Sequence, residues 1–239
     1  MVEQLKLANK GEFLTFLDAI SKISDSAIVN VQEDKLTTLV SSIDNTLILH
    51  SEYAVPSDFQ GTLNIPDIKK FSRVLDTLQS DELNLTVNSN NIEYRGDDIK
   101  FKYHLFEEGF LTNPNINLEK INKFDFDVQF SLNRGTLQQI FKGSTFTSET
   151  NKIYFYTEGK DLIGELSDRA RHNTDNFAIN LGEVDFTLTP TPVNFDNIRL
   201  LTTINDEFVA KINTEYGVVV FEIEANDIKL KYIISALTQ

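Results

Sequence analysis

Three histidines, His50, His104 and His172, and a close pair of aspartates, Asp125 and Asp127, have the side chains that proton transfer or metal ligation would need. Neither set is arranged for it. No two histidines stand four residues apart, the spacing that sets two imidazoles on one helix face around zinc. His50 and His104 fall in or beside stretches that read as strands. Asp125 and Asp127 alternate with Phe124 and Phe126, so a strand there would put both carboxylates on one side and both rings on the other. A solvated face explains that pattern better than a carboxylate pair for metal-assisted hydrolysis. The chain has no cysteine, hence no thiolate nucleophile, no disulfide and no Cys-ligated zinc. It also lacks the glycine-rich loops that cradle phosphates. The residues argue against an enzyme, and no metal or cofactor is expected.

What remains is charge. The 239 residues carry 22 basic and 36 acidic side chains, a net −14, with 41% hydrophobic residues, enough for a sizeable core. So acidic a surface should repel a polyanion unless the positive charge is segregated. Four stretches read as helices: 9–23, 66–79, 133–144 and 193–204. They hold eight basic residues, Lys10, Lys22, Lys69, Lys70, Arg73, Arg134, Lys142 and Arg199, against five acids, Glu12, Asp18, Asp67, Asp76 and Asp196. The helices total +3 and everything else −17. With a Debye length of about 8 Å at physiological salt, a phosphate against a helical face would feel mainly that face.

The elements that must position these cations occur twice. Asp98-Ile99-Lys100-Phe101-Lys102-Tyr103 returns as Asp227-Ile228-Lys229-Leu230-Lys231-Tyr232; Asn9-Lys10-Gly11 returns as Asn133-Arg134-Gly135, and Asp81-Glu82-Leu83 as Asp206-Glu207-Phe208. Three matches in order, at nearly constant offset, indicate an internal repeat. The first half reads as a strand at 4–7 and the helix 9–23, whose Phe13, Phe16, Leu17 and Ile20 follow the helical i, i+3, i+4, i+7 rule. Strands at 27–32, 36–42 and 46–53 precede the helix 66–79, with Pro66 in its first turn; strands at 83–87, 91–95 and 99–106 follow. The second half reads as a strand at 124–130, the helix 133–144, strands at 153–157, 162–166, 177–181 and 186–189, the helix 193–204, and strands at 208–212, 218–223 and 228–237. The domains are therefore 1–106 and 124–239, joined by a connector, 107–123, rich in Asn and Glu. No run of about 18 apolar residues suggests a membrane span, and the amino terminus carries no secretory pattern.

Element order and local pattern together resemble the DNA sliding clamps of the two-domain type, that of PCNA and of T-even-like bacteriophages. Gly61-Thr62-Leu63-Asn64-Ile65-Pro66-Asp67-Ile68-Lys69-Lys70-Phe71 is similar to their strand leading into the second helix, Asp98–Tyr103 to the last strand before the connector, and Leu230–Leu237 to the final strand and apolar tail. Length and acidity favour the phage branch. The short last helix and the stretch Arg169-Ala170-Arg171-His172-Asn173 depart from the PCNA pattern. The resemblance implies an α+β fold of two similar clamp domains, each with two helices on one face of antiparallel sheets. It implies a homotrimeric ring, encircling double-stranded DNA without reading sequence, that serves a DNA polymerase, needs a clamp loader and works in the host cytoplasm. By the same resemblance the eight helical cations face DNA. Ile99, Lys100, Phe101, Lys102 and Tyr103 of one subunit would meet Phe177, Ile179 and Leu181 of the next, and Phe110, Leu111, Ile233 and Leu237 would receive a partner peptide. The competing reading, a β-rich structural protein of a phage virion, has no need of basic helices or of this repeat.

Overall fold

The computed structural model describes residues 3–171 and 173–237; His172 lies outside them. In chain order the elements are β1 (Glu3–Leu7), α1 (Lys10–Ser21), β2 (Ala27–Val31), β3 (Lys35–Ser41), β4 (Leu47–Ala54), β5 (Gly61–Ile65), α2 (Ile68–Asp76), β6 (Leu83–Asn88), β7 (Asn91–Arg95), β8 (Lys100–His104), α3 (Leu118–Asn122), β9 (Val128–Asn133), α4 (Arg134–Gly143), β10 (Lys152–Glu158), β11 (Asp161–Leu166), β12 (Phe177–Glu183), β13 (Thr191–Asn194), α5 (Phe195–Arg199), β14 (Glu207–Asn213), β15 (Val218–Ala225) and β16 (Ile228–Ser235). Setting α3 aside leaves strand, helix, four strands, helix, three strands, twice. The sheet orders repeat too: β5-β2-β3-β4 corresponds to β13-β10-β11-β12, and β1-β6-β7-β8 to β9-β14-β15-β16. Every pairing whose register is resolved between these strands is antiparallel.

The repeat reaches the hydrogen bonds. Asn9 caps α1 by accepting the N–H of Glu12 at 3.1 Å, and Asn133 caps α4 by accepting that of Thr136 at 2.7 Å. The next N–H in each half, on Lys10 and on Arg134, reaches the carbonyl of Asp81 and of Asp206, both at 2.8 Å. These are the paired motifs of the sequence, now seen as one device that ties a helix start to the strand beside it.

Two compact units result. The first runs to Ile116 and takes in Glu224–Lys231; the second runs from Asn117 to Ile223 and takes in the chain from Tyr232. In the first unit α1 and α2 lie side by side, Phe13 edge-on to Phe71 at 6.3 Å, with Phe13 against Tyr53 of β4 and Phe71 against Tyr103 of β8. In the second, Phe141 of α4 meets Phe195 of α5, and Phe130 of β9 meets Phe155 of β10.

Several boundaries differ from expectation, each for a nonlocal reason. Pro66 lies outside α2: Asp67 is the cap, accepting the N–H of Lys70 at 2.8 Å, while its own N–H and carbonyl are held by the Tyr103 hydroxyl at 3.0 and 2.7 Å. The alternation at 124–127 is not a strand. Phe124 stacks on Tyr216, Asp125 gives its carbonyl to Asn213, and Asp127 binds Thr214, so the ladder starts only at Val128. Residues 186–189 form no strand; Leu188 exchanges hydrogen bonds with Thr157 of β10. The helix expected over 193–204 shrinks to 195–199, because Val193 pairs with Ile153 and the N–H of Thr202 goes to the Tyr232 hydroxyl.

Candidate nucleic-acid interface

The cations sit where helical geometry sends them. In α2 the side chains of Ile68, Phe71 and Leu75 are buried, so Lys69, Lys70 and Arg73 fall on the opposite face and are exposed. In α4 burial of Leu137 and Ile140 leaves Arg134 and Lys142 exposed. Lys10 lies at the margin of α1's buried face, half-buried, and its ammonium donates to the carbonyl of Leu78. Lys22 is exposed just beyond α1 and pairs with Asp18 at 3.1 Å. The observed helices α1, α2, α4 and α5 carry seven basic and four acidic residues, again +3.

Their freedom differs. Lys69 meets Asp25 at 3.2 Å, and Arg73 turns its Nε to the carbonyl of Lys69. Arg199 lies over the Phe195 ring at 4.6 Å, donates to Ser144 at 3.0 Å and pairs with Asp196 at 3.4 Å; it is the most tied of the eight. Among the described residues, Lys70, Arg134 and Lys142 have no acidic partner within ion-pair distance. Exposed pairs such as Lys69–Asp25 are worth little, so a phosphate can compete for them.

A second feature is the pair of one-sided strands. β8 closes one sheet with β7 as its single neighbour, and β12 closes another with β11. On β8, Tyr103 is buried and Phe101 half-buried, as is Ile99 just before it, while Lys100 and Lys102 are exposed; on β12, Phe177, Ile179 and Leu181 share one half-buried face. Among the described residues, neither strand has a second strand along its outer row of backbone groups.

The third is a cleft of about 240 Å³ of mixed lining, with Ile28, Leu39, Val40, Leu111 and Pro114 beside Ser24, Ser26, Ser41, Asn45, Thr112 and Asn113. Of the four residues expected to receive a peptide, Leu111 lines it. Phe110 does not; it points out, 71% exposed. Ile233 is buried within the second unit, and Leu237 is half-buried there, its N–H on the carbonyl of Pro192. The walls Ile28 and Leu39 were not singled out from sequence; both are apolar and half-buried on the face opposite their strands' buried residues, and the mixed runs 27–31 and 35–41 do not mark that face.

Of the residues that invited chemistry, Asp125 and Asp127 are tied to the turn at Asn213 and Thr214. His50 sits in β4, and burial, ahead of the opposing charge of Glu52, pushes its pKa down. Desolvation raises the Asp127 carboxyl, but the hydrogen bonds from Thr214 outweigh it and hold it below the usual carboxylate value. Among the described residues no three His, Cys, Asp or Glu cluster as metal ligands, and no helix is long and apolar enough to cross a membrane.

No protein-family model and no curated sequence matches the chain. Solved structures do. It is similar to PCNA of A. fulgidus, solved bound to the C-terminal region of FEN-1, at TM-score 0.77 and 12% identity over 99% of both chains. It is similar to proliferating cellular nuclear antigen from Entamoeba histolytica at 0.74 and 12%, over 100% of both. The beta subunit of DNA polymerase III from Thermotoga maritima matches at 0.74 and 10%, over 99% of this chain and 66% of that one. At such identities the likeness is one of fold, and end to end this chain has the α+β, two-domain fold of the DNA clamps.

Proposed function

We propose that the protein is a sliding clamp: a homotrimeric ring that encircles duplex DNA, tethers a polymerase and performs no catalysis itself. The observation that carries this reading is charge segregation on the clamp fold, a net +3 on helices of a chain whose total is −14. Lys and Arg on helices reach phosphates without reading base edges, so binding is indifferent to sequence. A few screened contacts leave the ring mobile, and retention comes from topology. The acidic remainder discourages DNA from the outside and leaves opening to a clamp loader.

Ring closure follows from the edges. β8 and β12 differ, so joining one to the other is head-to-tail, the kind of contact that propagates until it closes. β8 carries Lys100 and Lys102 and no acid, and β12 carries Glu183 and no base, so the edges attract. The cleft beneath Leu111 takes a short peptide of the polymerase, apolar side chains against Ile28 and Leu39 and polar groups against Ser24, Ser41 and Asn113. Length and acidity favour a T-even-like phage clamp working in the host cytoplasm.

The test is retention. Loaded onto nicked circular duplex DNA, the protein should stay bound through gel filtration and leave once the circle is linearised. Equal loss from circle and line would refute encirclement.

A further inference from the structure

Three phenylalanines stand exposed on the surface. Phe110 is 71% exposed, Phe146 61% and Phe106 41%. Phe106 and Phe110 stack on each other at 5.7 Å, and Phe106 lies two residues beyond the end of β8. Phe146 belongs to the turn after α4, where its N–H bonds the carbonyl of Gly143 at 3.0 Å. Gly143 in turn abuts the ring of Phe177, the first residue of β12. Phe146 also walls a cleft of about 160 Å³ whose other side includes Thr174 and Asp175, just ahead of β12. The stacked pair therefore marks the C-terminal end of one single-neighbour strand, and Phe146 the N-terminal end of the other.

Antiparallel pairing brings those two ends together, whatever the register. We propose that Phe106 and Phe110 of one copy pack against Phe146 and the cleft at Thr174–Asp175 of the next, forming an aromatic latch at the end of the strand seam. The latch rests on the head-to-tail ring described above and names what closes it. The occupant is a second copy because the two surfaces flank edges that are unlike in charge and each short of one strand. Directly opposed residues of an antiparallel pair lie on the same face, so half-buried Ile99 and Phe101 line up with Phe177, Ile179 and Leu181. Slips of two residues preserve that match, and strand pairing alone leaves the register open. A bulky contact at one end selects a single register.

Phe110→Ser and Phe146→Ser, alone and combined, test this in the full chain by sedimentation equilibrium. Each should weaken self-association about tenfold or more, and the double variant should be scarcely weaker than either alone, the signature of residues in contact. Because the chain has no cysteine, a mixture of Phe110→Cys and Phe146→Cys proteins should oxidise to a covalent dimer containing one of each. This second arm holds even where a serine variant folds poorly. If the wild-type chain assembles but the variants associate unchanged, or no mixed dimer forms, the latch is wrong and the strand seam stands. A wild-type chain that stays monomeric at all concentrations overturns the ring, and the latch with it.

Discussion

Gly143 presses its backbone against the ring of Phe177 so closely that a methyl group there would overlap the ring. The glycine ends α4 and the phenylalanine begins β12, so the contact positions a strand at a sheet edge. Gly143→Ala should destabilise the fold by about 1–3 kcal/mol through overpacking, against the roughly 1 kcal/mol that alanine ordinarily adds to a helix. Urea unfolding measures the sum. A stabilised variant would show that Phe177 swings aside freely.

Asn9 and Asn133 perform the same capping in separate units. Replacing either by alanine should cost about 1 kcal/mol, and the two costs should add because the sites share no partner. Unfolding midpoints of the singles and the double check both points; a loss at one site only would mean the repeated motif does unequal work.

Lys70, Arg134 and Lys142 are exposed without an acidic partner among the described residues, and they should govern the response to DNA. Each change to glutamine should lower the slope of log affinity against log salt by about 1 without altering sedimentation. Arg199→Gln, at a side chain already held by Phe195, Ser144 and Asp196, should do less. Equal effects would remove the distinction.

Leu39→Glu puts a charge into the cleft beside Leu111. Polymerase stimulation should fall at least tenfold, while retention on circular DNA persists, since none of the eight helical cations lines the cleft. Joint loss of both activities would assign the cleft another role.

Tyr53, Tyr103 and Tyr156 are each pushed up to about 12, chiefly by burial. A pKa higher folded than unfolded means stability that is intact below pH 10 and lost as pH rises through 12. Unfolding and phenolate absorbance should therefore rise together between pH 10 and 12. For Tyr103→Phe the slope of stability against pH should be shallower in that window. An unchanged slope would show that Tyr103 titrates without linkage to folding.

Much of the fold was legible where neighbours along the chain decide the outcome. Strands read at 27–32 and 36–42 stand at 27–31 and 35–41, within a residue, and Phe13, Phe16, Leu17 and Ile20 marked α1. The recurrence of Asp98–Tyr103 at Asp227–Tyr232 pointed to β8 and β16 as equivalent strands, because a duplicated unit keeps the apolar spacing its core demands. The helical cations could be assigned to solvent because a 3.6-residue turn sends them opposite the buried stripe.

Partners distant in sequence decided the rest. Nothing near Phe124 announces that Tyr216 will stack on it, and nothing near Thr202 that Tyr232 will take its N–H, so a strand and a helix were drawn too long. Local pattern does not tell which strand lacks a neighbour; that β8 and β12 each stand at an edge depends on how whole sheets are ordered. Local backbone preference is written every two or three residues. Which surfaces stay open is settled only when every other surface has found its cover.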